Sequence, residues 1–250
     1  MLRIRIIPCL DIKDGQVVKG VKFMNLKSAG DPAELARYYD TQGADEIILL
    51  DVTASVESRR VMIDIIEKVS SEVFVPLCVG GGISSLEDIR AILRAGADKV
   101  SLCTTALEKP SFIREAAAAF GSQCIVLSID ARREGSIWWA YRRGGREKTG
   151  WEAITWAKWG EEHGAGEILL NSIDMDGTQS GYDLELTRRV AENVSIPVIA
   201  SGGAGSLSQI YEVIVKGKAD AVLVASLLHF NHVTIKKIKK YLTHKGVKVR

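Results

Sequence analysis

The chain repeats itself. Residues 76–105, PLCVGGGISSLEDIRAILRAGADKVSLCTT, return at 197–226 as PVIASGGAGSLSQIYEVIVKGKADAVLVAS. Pro76 aligns with Pro197, Gly81 with Gly202 and Gly82 with Gly203, each at a spacing of 121, before the register slips by one at Lys218. GADEIILL at 43–50 is echoed by GAGEILLN at 164–171, again 121 residues on. A unit of half the chain used twice restricts the fold to those built from two like halves.

Short aliphatic and β-branched runs alternate with amphipathic segments along the whole length. Strands are expected at 5–10, 46–51, 75–79, 99–103, 124–129, 167–172, 197–200 and 221–225. Helices are expected between and after them, at 32–41, 59–70, 86–95, 110–120, 151–163, 184–193, 207–215 and 233–243. Strict alternation calls for parallel strands joined by crossover helices, and near-continuous apolar strands call for a sheet covered on both faces. Two halves of four units each specify an α/β fold of the (β/α)8 TIM-barrel type rather than an open sheet. The whole chain, 1–250, is then one domain with half-barrels of about 1–121 and 122–250. Two loops exceed a plain βα connection. Asp14-Gly15 makes a tight turn ahead of VVKG, and SIWWAYRRGGREKTG reads as a hairpin turning at Gly144-Gly145. Loops after the strands build the active site in this fold, so both are candidate lids.

Composition narrows the function classes. A net charge of +2 gives no electrostatic basis for a nucleic-acid partner, and no apolar run approaches the ~18 residues of a membrane span. MLRIRIIPCLD reads as a first strand, not a signal peptide. Cys9, Cys78, Cys103 and Cys124 lie in or beside apolar strands with no close pairs, which suits reduced thiols in a cytoplasmic protein. The histidines at 163, 229, 232 and 244 fall in helical or late segments, so no metal site is expected.

Asp11 and Asp130 each follow an apolar strand, the first and the fifth. These strands lie opposite each other in an eight-stranded barrel, so both carboxylates face one mouth. Two carboxylates across a cavity suit paired acid and base work; ordering a loop is the plainer alternative. Gly81-Gly82 and Gly202-Gly203 follow strands three and seven, and Thr104 and Ser226 follow strands four and eight. Glycine lets backbone N–H groups approach an anion, and the duplication implies a ligand with two phosphates, unless the glycines serve tight turns alone. IDMDGT places Asp174 and Asp176 after strand six, and Lys19 emerges beside Asp11 to meet an anionic substrate or solvent. Arg5, Glu46, Lys99 and Glu167 begin strands one, two, four and six. On residues alone they read as a stabilising layer of ion pairs at the barrel floor. The lysine-rich end is the solvated face of a last helix packing through Ile235, Ile238 and Leu242.

Together IIPCLDIKDGQVVKG, VGGGI, DKVS, GSQ followed by SIDARR, GAGEILL, SIDMDGTQSGYD and ASGGAG resemble the cyclase subunits of imidazole glycerol phosphate synthase. CLDIKDG separates the chain from the related histidine-pathway isomerase, a similar two-half barrel that opens on an AIDL-type strand. The resemblance implies a bisphosphate substrate, N′-phosphoribulosyl-formimino aminoimidazole carboxamide ribonucleotide, with ammonia as nitrogen donor and no cofactor. It implies Asp11 and Asp130 as the acid/base pair, with Lys19 and Asp176 in support. The implied substrate-binding set adds Gly81, Gly82, Cys103, Thr104, Asn171, Gly177, Ser201, Gly202, Gly203, Ala225 and Ser226. Arg5, Glu46, Lys99 and Glu167 become a gate admitting ammonia from a glutaminase subunit docked below as a heterodimer partner, with Asp98 at the interface. Three positions depart from the family pattern: Cys78 and Cys103 stand where Thr and Asn are favoured, and Asn171 where Thr is favoured. A barrel that has lost its chemistry and keeps only phosphate and glutaminase binding is therefore the alternative outside the enzymes.

Overall fold

The computed structural model describes residues 3–21, 24–52, 62–229 and 232–250, leaving aside the side chains of 19–27. Eight parallel strands close into a barrel: β1 (Arg5–Lys13), β4 (Ile47–Asp51), β5 (Leu77–Gly80), β6 (Lys99–Leu102), β7 (Ile125–Glu134), β10 (Glu167–Ser172), β11 (Val198–Ser201) and β12 (Ala221–Val224). Each is hydrogen-bonded to the next in that order, and β12 pairs back onto β1 through Arg5↔Ala221 to Pro8↔Val224. This is the (β/α)8 barrel expected from the alternation.

Period two along the strands separates two cores. Ile7, Cys9, Ile48, Cys78, Val126, Leu169 and Ile199 fill the barrel interior. Ile6, Leu10, Ile47, Leu49, Val79 and Ile168 point outward and pack under the helices. The surrounding helices are α1 (Pro32–Thr41), α2 (Ile63–Ser70), α3 (Leu86–Arg94), α4 (Thr104–Glu108), α5 (Ser111–Phe120), α6 (Ala153–Glu162), α7 (Leu184–Ala191), α8 (Leu207–Val215), α9 (Ser226–His229) and α10 (Ile235–His244). Caps set several starts: Asp31 accepts from Ala33 and Glu34 N–H, Ser85 forms a capping box with Asp88, and Ser206, one repeat on, accepts from Gln209 N–H. The helix expected at 59–70 is described only from Ile63, since 53–61 lie outside the described residues.

Both long loops fold as β-hairpins on the rim above the strands' C-terminal ends. β1 turns at Asp14 (φ 49°) and Gly15 (φ 79°) into β2 (Gln16–Val21), which pairs with β3 (Met24–Gly30). Two consecutive left-handed residues are what a two-residue hairpin turn needs. β7 runs on past the barrel to Glu134 and pairs antiparallel with β8 (Ile137–Arg142), which turns into β9 (Glu147–Glu152). The helix expected from 151 therefore starts two residues later, because Glu152 is paired with Trp139 at the end of β9.

Candidate active site

A cavity of about 350 Å³ opens at the C-terminal ends of the strands and is lined by both Asp11 and Asp130. A smaller cleft lies beside it, lined by Gly177, Gly202, Gly203, Ala225 and Ser226, and shares Asp176, Ser201 and Leu223 with the larger one. The residues expected to act together are thus brought to one mouth, Gly81, Gly82, Cys103 and Thr104 on one side and the second glycine pair on the other. Lys19 is backbone-paired with Lys27 in the first hairpin, but its side chain lies outside the described residues.

Asp130 is held from both neighbouring strands. Asn171 lies directly across from it in the β7–β10 register, and its Nδ2 donates to Asp130 Oδ1 at 3.0 Å. Ser201 Oγ donates in turn to Asn171 Oδ1 at 3.2 Å, so the three form a chain across β7, β10 and β11. On the other side the Cys103 thiol stands 3.9 Å from Asp130 Oδ2, too far for more than a weak interaction. Burial raises the Asp130 pKa to about 6; the Asn171 bond opposes the rise, and the charges of Asp176 and Asp11 add to it. Burial, with the Asp130 charge beside it, pushes the Cys103 thiol up, so it stays protonated at neutral pH. Cys9 Sγ donates to Asp11 Oδ1 at 3.2 Å.

The glycine loops have a packing reason of their own. A Cβ on Gly81 (φ 97°) would lie 2.3 Å from Asp51 O, and one on Gly203 (φ 98°) would lie 2.0 Å from Gly181 O. The Thr105 hydroxyl donates to Ile83 O and ties the first loop to α4. Thr104 Oγ1 accepts from Arg143 N–H at 3.0 Å, which seats the tip of the β8–β9 hairpin on the cavity rim. Asp174 accepts from Arg133 N–H at 2.8 Å and braces the extended end of β7. Asp51, Glu108 and Arg143 also line the cavity and were not singled out from sequence, although LLD closing β4 matches the CLD that supplies Asp11.

At the opposite end of the barrel the four charges form a ring. Arg5 Nη1 donates to Glu46 Oε2 at 2.7 Å and Arg5 Nη2 to Glu167 Oε1; Lys99 Nζ donates to Glu46 at 3.0 Å and to Glu167 Oε2 at 2.8 Å. Burial works against the charge of Lys99, but Glu46 and Glu167 outweigh it and hold the ammonium above its ordinary range. Between this ring and the cavity the interior is apolar and includes the fully buried Cys78. Asp98 lies outside the ring on the same rim, its carboxylate accepting from Leu77 N–H at 2.8 Å. Among the described residues no cluster of His, Cys, Asp and Glu has the makings of a metal site, and no helix is long and apolar enough to cross a membrane.

A repeated (β/α)8 barrel with two carboxylates lining one cavity at the strands' C-terminal ends has the architecture of a TIM-barrel enzyme. A family model described as histidine biosynthesis protein matches residues 5–234. Over its full length the chain is 55% identical to the imidazole glycerol phosphate synthase subunit HisF of Methanocaldococcus jannaschii, covering 99% of that protein. It is 55% and 54% identical to the HisF subunits of Geobacillus thermodenitrificans and Geobacillus kaustophilus, each covered completely. The chain belongs to the histidine biosynthesis family and, within it, to the cyclase subunits of imidazole glycerol phosphate synthase. That membership decides against the isomerase.

Proposed function

We propose that the chain condenses ammonia with phosphoribulosyl-formimino-aminoimidazole carboxamide ribonucleotide and releases imidazole glycerol phosphate and aminoimidazole carboxamide ribonucleotide. The observation that carries this reading is the pairing of Asp11 and Asp130 across one cavity, with Asp130 poised near neutrality. Ammonia adds to the ribulose carbonyl and water leaves; the new nitrogen then closes the ring as the bond to the carboxamide ribonucleotide breaks. Each step moves a proton on or off nitrogen or oxygen. A carboxyl with a pKa of about 6 both gives and takes protons near pH 7, and Asp11 serves from the opposite strand. Asp176 and Lys19 support the pair, and the residues of the two clefts bind the substrate, one phosphate to each glycine–hydroxyl set.

Ammonia is delivered through the barrel. The ring of Arg5, Glu46, Lys99 and Glu167 is the gate, and the apolar interior above it favours neutral ammonia over ammonium. A glutaminase subunit docks on the same face. Support comes from Phe74, 97% exposed beside an open groove of about 360 Å³ that also includes Asp98. Relatives in a biosynthetic pathway support a cytoplasmic location. No cofactor enters the reaction.

The test is turnover of the purified chain with substrate and an ammonium salt at high pH, where free ammonia is plentiful. Release of both products supports the cyclase. A folded chain that binds substrate without converting it sinks this reading and leaves the barrel as a binding module.

A further inference from the structure

Charged side chains line the cavity. Its described lining carries five carboxylates, Asp11, Asp51, Glu108, Asp130 and Asp176, and a single cation, Arg143. Two of those carboxylates are the proposed proton carriers and must keep their charge for part of each cycle. A cation on the rim that can turn toward an entering phosphate dianion offsets the repulsion from these carboxylates.

Arg143 is a cation on that lining. It is the first residue of the β8–β9 turn and adopts φ 54°, a left-handed conformation that a non-glycine residue holds only when its surroundings enforce it. Gly144 (φ 62°) and Gly145 (φ 75°) continue the turn, and the Arg143 N–H, bonded to the Thr104 hydroxyl, fixes it to the cavity rim. The guanidinium reaches Glu147 Oε1 at 3.1 Å and Glu108 Oε1 at 3.3 Å. Its side chain is 47% exposed, so those pairs are screened and cheap to exchange. Phosphate offers a guanidinium two parallel charge-assisted bonds, which outcompete single contacts to exposed carboxylates.

We propose that Arg143 is the cation that receives the phosphate bound beside Gly82 and Thr104, and that Glu108 and Glu147 hold it at the cavity rim until it transfers. The described lining of the second cleft includes no arginine or lysine, so that cleft serves as the internal control. The inference rests on the bisphosphate reading given above.

Inorganic phosphate titrated into the full chain, followed through the backbone amides of Gly82 and Thr104 and of Gly203 and Ser226, tests it without catalysis. Arg143→Gln should weaken binding reported by the first pair about tenfold, the low end for a charge-assisted contact because the site is half exposed. Binding reported by the second pair should stay unchanged, and Arg143→Lys should fall between. Gln keeps the backbone bond to Thr104, so the hairpin has no reason to lift. Glu108→Gln should tighten the first site, and much of that gain should vanish when Arg143 is also replaced. Equal weakening at both clefts, or none at either, overturns the proposal. The KM with ammonium as nitrogen source separates it from the wider reading. A wild-type chain that turns over while Arg143→Gln changes neither KM nor phosphate binding loses Arg143 alone. An inactive wild type whose first phosphate site still depends on Arg143 loses the cyclase reaction alone.

Discussion

Asp130 should cost the fold stability once it is ionised. Its pKa in the folded chain, about 6, lies above the ordinary 3.8, so between those values the folded state binds more protons than the unfolded one. Stability therefore falls as pH rises through that window, and above it the ionised carboxylate costs at most about 3 kcal/mol. Asp130→Asn keeps an acceptor for Asn171 and removes the charge. Its melting temperature should exceed that of the wild type by a few degrees at pH 8, and the gap should close toward pH 4. Ammonium-dependent kcat in the same variant should drop ~10²–10⁴-fold, as for other positioned acids and bases; retention of more than about a tenth would remove Asp130 from the chemistry. Its two neighbours predict opposite shifts. Asn171→Ala removes a bond that favours the charged form, so the acid limb of kcat/KM should move above about 6. Cys103→Asn replaces a thiol 3.9 Å away with a stronger donor, so the limb should move down and kcat/KM should rise. Shifts of the same sign would show that Asp130 is not what the profile reports.

Elements with long regular patterns were legible in the sequence, and the exceptions have particular causes. α1 and α8 occupy 32–41 and 207–215 as expected, each opened by a side-chain cap. α10 begins two residues later than its apolar pattern, because Thr234 caps it by accepting from Lys237 N–H. α4 and α9, five and four residues long, were not foreseen, since one turn is too short to show a period. The Ser201–Asn171–Asp130 chain was hidden for a different reason: it depends on the register of β7 against β10, which no local pattern records. Gly81 and Gly43 show how much context decides. Both have positive φ, but a methyl group on Gly43 meets nothing within 4 Å whereas one on Gly81 meets Asp51 O at 2.3 Å. Gly43→Ala should cost about 1 kcal/mol, the backbone term alone. Gly81→Ala should cost more than about 3 kcal/mol and move β4 against β5, read by denaturant unfolding. Equal costs would mean that the Gly81 loop has room to yield.

The two ends of the molecule differ: the carboxylate-lined cavity lies where the strands finish, and a largely buried ionic ring lies where they start. Removing one member of such a ring leaves a buried charge without its partner, at a cost of ~3–5 kcal/mol, so ring substitutions confuse gating with folding. The proposed docking face is better tested from its rim. Phe74 suits this purpose because its N–H is anchored to Asp40 Oδ2 at 3.0 Å while its ring is 97% exposed. The backbone holds the side chain outward, and burying a ring of that size against a partner contributes about 1.5–3 kcal/mol. Phe74→Asp should therefore weaken glutaminase binding about tenfold to a hundredfold and lower glutamine-dependent turnover. Turnover with free ammonium should not change, since nothing in the barrel packs on that ring. Asp98 calls for a gentler substitution than charge reversal. Its carboxylate accepts from Leu77 N–H, as Asp220 accepts from Val198 N–H one repeat later, so Lys at this position would strip a backbone donor of its partner. Asp98→Asn keeps the acceptor and removes the charge. It should reduce assembly and glutamine-dependent activity, by less than Phe74→Asp, and leave ammonium-dependent activity and melting temperature as they were. If both variants bind the glutaminase as tightly as the wild type, the partner does not dock on this face of the barrel.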